Sequence, residues 1–432
     1  GDPVRGLVPD VGVVSLPMPV HAASSPERNG RRKNIGATRL RAGDLLAIAA
    51  PPGPTWLTLL QEAWDVGAAV LPIDVRLPPP VIRQLMDAAR PTCTYDGDGF
   101  RRLPGLPADD RLGLVVATSG ASGRPKLVEL DRAAVEAAVH AGATRIAATA
   151  DDPWLACLSP AHIGGMLVYL RALLLGAPLV HLDPFDPAQF ARARATFASI
   201  VPTMLHRLVQ RADLPLGSYR AILVGGDSVT PAQAEAAATL GMPLVPTYGL
   251  SETCGGVVYD GAPLDGVEVR VGEEGEVLLR GATLMRGYRF DPAGNAAVID
   301  PAGWLHTGDA GRSVDGELVV IGRMDNLIRS GAEKVWPEPV EAILRALPDV
   351  ADAAVVGVPD PEWGQRVVAI LVPLDPRRPP RLDVLREAVL ARLPAAYAPR
   401  GLRLATGLAR TSAGKLDRRA VSEMAMEEAP GG

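Results

Sequence analysis

Cysteine and aromatic residues are scarce in this sequence of 432 residues. The three cysteines, Cys93, Cys157 and Cys254, lie far apart, so the chain has neither a disulfide framework nor a zinc-binding spacing. This usage favours a reducing compartment and predicts a cytoplasmic location. Aromatic residues make up 4% of the chain, so no pocket rich in stacking side chains stands out.

The sequence also lacks an excess of one charge and a long apolar run. The 44 basic and 49 acidic residues give a formal charge of −5, which offers no electrostatic case for a nucleic-acid partner or an anionic membrane. No uncharged apolar run reaches the roughly 18 residues of a membrane span. The longest candidate, Met166 to Val180, contains Arg171 and predicts a buried helix and turn.

The alternation of apolar runs with helical patterns predicts an α/β fold. After an N-terminal segment, 1–42, that is flexible or abbreviated, short apolar runs alternate with amphipathic segments. Such a pattern is typical of βαβ units around a buried parallel sheet. The runs predicted as strands are 45–49, 68–73, 112–117, 155–158, 179–182, 198–201, 221–224 and 244–245.

The pattern changes after Gly255. Short alternating runs at 267–271, 275–280 and 316–321 predict a small antiparallel, barrel-like subdomain over about 256–322. We therefore expect a large N-terminal domain, 43–322, followed by a small α+β domain, 323–432. Two helices, 338–347 and 382–393, flank an apolar strand at 366–372 in that last part, and the hinge is expected near Asp325.

A loop rich in glycine and hydroxyl residues follows the strand 112–117. Its sequence, TSGASGRPK over 118–126, combines backbone N–H groups, hydroxyls and Lys126, all of which can donate to phosphate oxygens. The loop does not have the Walker spacing, and the chain has no GxSxG elbow, which argues against a serine hydrolase. Taken alone, a loop of this composition is a plain flexible turn as often as it is a phosphate-binding loop.

Two later motifs permit nucleotide chemistry but are weak by themselves. In TYGLSET, 247–253, the ring of Tyr248 can lie against a purine and Glu252 can hold Mg²⁺ near phosphates. The alternative is a core tyrosine and a surface glutamate. In GWLHTGD, 303–309, Asp309 can bind ribose hydroxyls, or Gly308-Asp309 is simply a turn.

Two further motifs, 322–335 and 410–418, complete an ordered series, and the series resembles the adenylate-forming superfamily. That superfamily contains acyl- and aryl-CoA synthetases, nonribosomal adenylation domains and luciferases. The resemblance covers 43–420. Finer matches, TYGLSETCGGVVYD, GAPLDGVEVRV, GATLMRGY, VWPEPV and HIGG followed by Arg171, look most like the compact actinobacterial o-succinylbenzoate–CoA ligases of menaquinone biosynthesis.

The resemblance implies an AMP-forming acid–thiol ligase that uses ATP, Mg²⁺ and CoA. A carboxylate attacks the α-phosphorus of ATP, and a CoA thiol then displaces AMP from the acyl-adenylate. Catalysis of the first step would consist mainly of positioning and charge stabilisation. By resemblance, Lys415 contacts the carboxylate and α-phosphate, Thr253 the α-phosphate, and Glu252 holds Mg²⁺.

The resemblance also implies the remaining nucleotide contacts. The residues expected to bind ATP or AMP are Thr118, Ser119, Gly120, Ser122, Gly123, Lys126, Gly226, Asp227, Tyr248, Gly249, Asp309 and Arg323. The small domain is expected to rotate about Asp325 and to bring the loop Ser330, Gly331, Ala332, Glu333 and Lys334 to the thioester step. Ala332 departs from the glycine common there, and its bulk is expected to narrow the thiol path.

The acid pocket is expected to contain His162, Gly164, Arg171 and Gly249. The second carboxylate of o-succinylbenzoate requires a partner in a buried site, and His162 and Arg171 are the candidates. A structural interpretation stays open, in which His162 is a core residue and Arg171 a charge on a helix surface. Gly164 and Gly249 would leave room for an aromatic ring.

Two other functions remain open on the sequence. One is an adenylating enzyme of a secondary-metabolite pathway, acting on another aryl or acyl acid with a carrier protein or other nucleophile as acceptor. The other is a non-catalytic nucleotide-binding homologue. The oligomeric state, monomer or homodimer, is also open.

Overall fold

The computed structural model describes residues 13–14, 40–119, 125–410 and 416–426. The chain divides into two compact units, residues 1–268 with 280–305 and residues 269–279 with 306–432. The second unit thus takes in part of the predicted antiparallel subdomain, and the boundary at 322 and the hinge at Asp325 stay predictions. Of the N-terminal segment 1–42, only residues 13–14 and 40–42 are among those described.

Strands outnumber helices in the described ranges of the chain. The strands are β1 (Val13–Val14), β2 (Leu45–Ile48), β3 (Ala69–Pro72), β4 (Cys93–Tyr95), β5 (Phe100–Arg102), β6 (Leu112–Ser119), β7 (Pro125–Asp131), β8 (Trp154–Ala156), β9 (Leu179–His181), β10 (Phe197–Ile200), β11 (Ala221–Val224), β12 (Leu244–Leu250), β13 (Gly255–Tyr259), β14 (Ala262–Pro263), β15 (Val267–Val271), β16 (Glu276–Gly281), β17 (Gly287–Tyr288), β18 (Leu305–Val314), β19 (Glu317–Arg323), β20 (Ile328–Ser330), β21 (Glu333–Val335), β22 (Val350–Asp360), β23 (Gly364–Pro373) and β24 (Gly401–Leu404). The α-helices are α1 (Pro54–Asp65), α2 (Pro79–Ala89), α3 (Arg132–Arg145), α4 (Ile163–Leu175), α5 (Pro187–Arg192), α6 (Pro202–Val209), α7 (Pro231–Thr239), α8 (Pro292–Val298), α9 (Pro337–Arg345), α10 (Leu382–Leu390) and α11 (Arg418–Met426).

The first unit contains two sheets with parallel cores. One has the strand order β17-β7-β6-β3-β2-β4-β5, and the other β1-β9-β8-β10-β11-β12-β13-β14. Strands β2, β3, β4 and β6 pair in parallel, as do β8 to β12, while β7, β13 and β17 add antiparallel pairs. The predicted strands in this part of the chain are confirmed. The apolar runs of β2, β3, β10 and β11 are buried throughout, as in a covered parallel sheet, whereas the run 244–245 in β12 is half-buried.

Helix α4 lies in the interior of the first unit and contacts α1, α3, β8, β10 and β13. Its residues from Gly165 to Ala172 are buried without a break, which explains why the helix is apolar on every side. The helix confirms the buried helix expected from Met166 onward, and Gly176 ends it in a left-handed conformation. Its length is 13 residues, and no helix in the described ranges is long and apolar enough to cross a membrane.

The second unit contains an antiparallel sheet and a separate α+β part. Most residues of the sheet β15-β16-β18-β19 belong to it, in the region predicted to be antiparallel. In the C-terminal part the order is β21-β20-β23-β22, with β24 beside β23. Helices α9 and α10 cover one face of this sheet and share one apolar cluster with it. Helix α11 covers the other face over a second cluster. The predicted α/β fold class with a small α+β C-terminal part is confirmed.

Candidate active site

Strands β6 and β7 form an antiparallel hairpin around the predicted phosphate loop. Thr118 pairs with Lys126 across the two strands, so the hairpin brings the two ends of the loop together. Thr118 is half-buried, Lys126 is exposed, and Ser119 ends β6. Gly120, Ser122 and Gly123 lie outside the described residues, so their phosphate contacts stay predictions.

Lys126 lies beside a tyrosine to which the sequence assigned no role. Its ammonium is 4.7 Å from the centre of the Tyr288 ring. The hydroxyl of Tyr288 donates a hydrogen bond of 2.9 Å to Oε1 of Glu252, and the Met285 N–H donates to the Glu252 carbonyl at 2.7 Å. The predicted phosphate cation and the predicted Mg²⁺ carboxylate are therefore close neighbours, with one aromatic side chain touching both.

Glu252 belongs to a short 3-10 turn, Ser251–Thr253, between β12 and β13. Thr253 is fully buried, and its hydroxyl accepts from the Leu250 N–H at 2.8 Å and donates to the Gly255 carbonyl at 2.7 Å. The hydroxyl thus closes the turn that presents Glu252. Its contact with an α-phosphate stays a prediction.

Gly249 has a structural reason of its own. A Cβ at this position would lie 1.9 Å from the carbonyl oxygen of Gly255, because the backbone of β13 passes directly over it at a bulge in the β12–β13 ladder. Only glycine permits this approach. The role predicted for Gly249 in the acid pocket is a separate matter and stays a prediction.

Three of the predicted nucleotide contacts lie on or after neighbouring parallel strands. Gly226 and Asp227 are exposed just after β11, and half-buried Tyr248 lies in β12, the strand beside it. The Thr247 hydroxyl donates to the Val224 carbonyl at 3.2 Å and joins the two strand ends. Ligands bind at the carboxyl ends of parallel strands in such sheets, so this edge is suited to the predicted purine site.

Asp309, predicted to bind ribose, and Arg323, another of the predicted nucleotide contacts, are direct partners in the second unit. They face each other across β18 and β19, with Arg323 Nη1 2.8 Å from Asp309 Oδ1. Burial opposes the charge on Arg323, but Asp309 and Asp325 outweigh it and raise the pKa of the guanidinium. Asp325, the predicted hinge, is exposed and lies 3.6 Å from Arg323 Nη2.

The loop predicted for the thioester step is a tight hairpin between β20 and β21. Ser330 pairs with Glu333, so Gly331 and Ala332 are the two central residues of the turn. Gly331 has a φ of +63° and Ala332 does not have a positive φ, which is the pattern of turns that require glycine only at the first central position. The backbone therefore accepts Ala332, which is exposed, and its effect on a thiol path stays a prediction.

The rest of this hairpin is held within the second unit. Lys334 Nζ lies 3.1 Å from Glu274 Oε2, and the Gly331 N–H donates to the Trp363 carbonyl at 2.7 Å. Ser330 is buried, and its hydroxyl has no hydrogen-bond partner among the residues the structure describes.

The two charged residues predicted for the acid pocket lie at different depths on α4. His162 precedes the helix with its side chain 58% exposed and Nε2 4.0 Å from Asp74 Oδ2. Arg171 is 2% exposed. The open structural interpretation, a core His162 and a surface Arg171, is therefore wrong for both residues. Half-buried Gly164 lies in the first turn of the helix, and a Cβ there would meet Leu158 Cδ1 at 3.8 Å, an ordinary van der Waals contact.

Arg171 is a buried cation with few partners. Its Nη2 donates to the hydroxyl of Tyr259 at 3.3 Å and its guanidinium lies 4.4 Å from the centre of the Trp154 ring. Among the described residues, Nε has no hydrogen-bond partner and the side chain forms no ion pair. Burial lowers its pKa, yet arginine stays charged in proteins. Such a charge normally pairs with an anion.

Cys254, the residue after Thr253, lies near this charge. Burial raises the pKa of its thiol to about 12 although Arg171 acts in the opposite direction. A neutral thiol does not compensate the guanidinium. Among the described residues, the polar and aromatic groups recorded around Arg171 are the Tyr259 hydroxyl, the Trp154 indole ring and the Cys254 thiol.

The residues around Glu252 fit a magnesium ion shared with a nucleotide. Mg²⁺ is usually held by one or two carboxylates together with substrate phosphates and water. Over the described ranges, no cluster of three or more His, Cys, Asp or Glu could hold a metal by itself. Glu252 Oε2 accepts no hydrogen bond from a described residue, which leaves it for such an ion.

Sequence reasoning missed Tyr259 and Tyr288. Both lie in stretches that carried the family resemblance, at the ends of the segments TYGLSETCGGVVYD and GATLMRGY. Their neighbours in space, Arg171 and Glu252, are 88 and 36 positions away in the chain. No local spacing could have indicated these contacts. Lys415, the residue expected to act in adenylation, lies outside the described residues.

Comparison with known proteins gives a consistent result. Residues 98–289 match the AMP-binding enzyme family and residues 339–415 match the AMP-binding enzyme C-terminal domain. A probable 2-succinylbenzoate–CoA ligase from Mycobacterium tuberculosis is 39% identical over 331 residues, which are 73% of this chain and 85% of the relative.

Solved structures share the fold over most of the chain. The o-succinylbenzoate coenzyme A synthetase from Bacillus subtilis, in complex with AMP, matches with a TM-score of 0.80 at 24% identity and covers 92% of this chain and 91% of its own. An amide bond synthetase from Marinactinospora thermotolerans matches with a TM-score of 0.78 at 25% identity, over 89% and 90% of the two chains.

Proposed function

This chain belongs to the AMP-binding enzyme family, and on that premise we propose that it is an ATP-dependent 2-succinylbenzoate–CoA ligase of menaquinone biosynthesis. The carboxylate of the acid attacks the α-phosphorus of ATP and releases pyrophosphate. The thiol of CoA then attacks the acyl carbon, and AMP leaves. The name and coverage of the mycobacterial relative support this assignment over other members of the family.

The observation that carries the assignment of the acid is the environment of Arg171. A fully buried guanidinium without a carboxylate partner in the described part of the chain is costly in the free protein. 2-Succinylbenzoate has two carboxylates, and only one of them reacts. The other can pair with Arg171, which explains why a cation is kept in the interior of the first unit.

The residues of the first unit suit the adenylation step. Lys126 and the hydroxyls of the β6–β7 loop donate to the β- and γ-phosphates, while Tyr248 and Gly226 border the adenine. Glu252 would hold Mg²⁺, which neutralises phosphate charge when it is bound. In the second unit, Asp309 and Arg323 bind the ribose, and Lys415 offsets the charge where the carboxylate meets the α-phosphate.

The acceptor is CoA in this proposal, and the hairpin Ser330–Lys334 serves the second step after rotation about Asp325. A second candidate keeps adenylation and replaces the thiol by an amine. The likeness to an amide bond synthetase favours testing this candidate. The sequence also left a carrier protein open as the acceptor. No contact among the described residues supports that alternative.

The three cysteines are unpaired and buried. Free thiols are usual in a reducing compartment, and this supports a cytoplasmic location.

The test is ATP–pyrophosphate exchange driven by a panel of acids, followed by product analysis. We expect exchange with 2-succinylbenzoate and little with benzoate, which lacks the second carboxylate, and a CoA thioester only when CoA is added. Lys415→Ala should bind ATP but lose exchange at least about 100-fold, as for removal of a major charge-stabilising group. Exchange with another acid alone would overturn the substrate, and an amide product would overturn the acceptor.

A further inference from the structure

Glu252 and Lys126 come from separate segments, the turn Ser251–Thr253 and the strand β7, and Tyr288 contacts both side chains. The Tyr288 hydroxyl donates to Glu252 Oε1 at 2.9 Å while the face of its ring lies 4.7 Å from the Lys126 ammonium. Lys126 forms no ion pair with a residue in the described ranges. A cation over an aromatic face is stabilised without being neutralised, so its charge remains available to an anion.

The backbone around Tyr288 is held firmly. Its strand, β17, pairs with β7, the strand that contains Lys126, with Tyr288 opposite Val128. The Tyr288 N–H donates to the side chain of Asn295, and a Cβ at Gly287 would lie 2.6 Å from Nδ2 of the same side chain, so the glycine leaves room for this amide. Tyr288 itself is 5% exposed. Its ring and hydroxyl therefore have a defined position relative to β7.

Glu252 is tied to the same segment by a second contact. The Met285 N–H donates to the Glu252 carbonyl at 2.7 Å, three residues before the tyrosine. Main chain and side chain of Glu252 are thus both held by the segment 285–288. With Oε1 occupied by the tyrosine, Oε2 has no donor among the described residues.

We propose that Tyr288 is a positioning residue for the metal–nucleotide complex. Its hydroxyl fixes the rotamer of Glu252 so that Oε2 points to the cation that accompanies ATP, and its ring holds the Lys126 ammonium close to the end of the phosphate loop. One side chain thereby sets the distance between an anion for the metal and a cation for the phosphates. This proposal rests on the proposed function, since it requires that ATP is bound with Mg²⁺.

The experiment compares Tyr288→Phe with the wild type and with Tyr95→Phe. Tyr95 is a matched control, because it is buried in the same unit and its hydroxyl donates to a backbone carbonyl, that of Gly97, at 3.0 Å. Calorimetry measures ATP binding over a series of Mg²⁺ concentrations, and no acid is needed. Pyrophosphate exchange then gives the KM for ATP and for the acid separately.

We expect Tyr288→Phe to weaken ATP binding about tenfold, as for loss of one hydrogen bond to a charged group, and to raise the Mg²⁺ concentration at half-maximal binding. The KM for the acid should not change. Tyr95→Phe should leave all three quantities at the wild-type values. In a Glu252→Gln background the added Tyr288→Phe substitution should have little further effect, because the group that it positions is already altered.

Equal Mg²⁺ dependence of ATP binding in Tyr288→Phe and wild type would overturn the proposal, whatever happens to thermal stability. A full effect of Tyr288→Phe in the Glu252→Gln background would also overturn it. These outcomes differ from failure of the proposed function, in which wild-type protein binds ATP but no exchange occurs with 2-succinylbenzoate.

Discussion

Two buried arginines of the first unit have opposite environments. Arg289 is 8% exposed, pairs with Glu129 at 2.8 Å and donates to the carbonyls of Ala89 and Leu106. Arg171 is more deeply buried, and its neighbours among the described residues include the Tyr259 hydroxyl, the Trp154 indole ring and the Cys254 thiol but no carboxylate that pairs with it. The protein itself supplies an anion for Arg289, whereas Arg171 has no anionic partner in the part of the chain that the structure describes.

The difference separates a structural cation from one that is kept for a ligand. A buried charge with a carboxylate and two carbonyl partners holds parts of the fold together, and losing it leaves those partners unsatisfied. A buried charge without an anion lowers stability in the free protein, so its retention indicates a use in binding. Substitutions of Arg289, of Arg171 and of Asp309, the partner of Arg323, test this distinction. We expect the largest effect on stability at Arg289.

Arg289→Met should strongly destabilise the protein. The substitution leaves the Glu129 carboxylate and two buried carbonyls without their donor, and breaking a buried pair in this way costs about 3–5 kcal/mol. Urea unfolding measures the loss. The double variant Arg289→Met/Glu129→Leu should recover part of it because the stranded carboxylate is gone. If the free energy of unfolding of the single variant equals that of the wild type, Arg289 is not a structural cation and the contrast with Arg171 fails.

Arg171→Met should leave stability unchanged or raise it and should lower activity. Replacing an unpaired buried charge by an apolar side chain of similar length is neutral or stabilising, so the melting temperature should stay equal or rise. Exchange driven by 2-succinylbenzoate should fall about 100-fold in kcat/KM, in the range expected for loss of a buried charge pair with the ligand. ATP binding should not change. A clear loss of stability with full activity would mean that Arg171 is structural.

Asp309→Asn extends the comparison to a pair in the second unit. Arg323 has a carboxylate partner at 2.8 Å, but its side chain is 43% exposed, so solvent screens the interaction. We expect a loss of about 1 kcal/mol in the free energy of unfolding. Asp325→Asn is the matched control, since Asp325 contacts the same guanidinium at 3.6 Å from an exposed position. Asp325→Asn should change the free energy of unfolding by less than about 0.5 kcal/mol. Equal losses in the two variants would show that the Asp309–Arg323 pair at 2.8 Å contributes no more to stability than the longer contact.

Much of the fold could be predicted because its signals are local. Runs such as Ala221–Val224 are apolar throughout because parallel strands are covered on both faces. The predicted strand at 112–117 became β6, two residues longer, because pairing with β7 continues to Ser119. The burial of Arg171 was harder to predict. A charge in a helical pattern usually lies on an exposed face, whereas α4 is surrounded by other elements and has no such face at Arg171.

The sequence alone determined which chemistry this protein can carry. The order of its motifs, from the loop at 118–126 through Glu252 and Asp309 to Lys415, resembles that of the adenylate-forming superfamily, and each motif is a short segment that can be recognised without the fold. Only the tertiary structure decided which distant residues support them. The contacts of Tyr288 with Glu252 and of Tyr259 with Arg171 join segments far apart in the chain, and such contacts depend on how strands pair and helices pack, which no local pattern encodes.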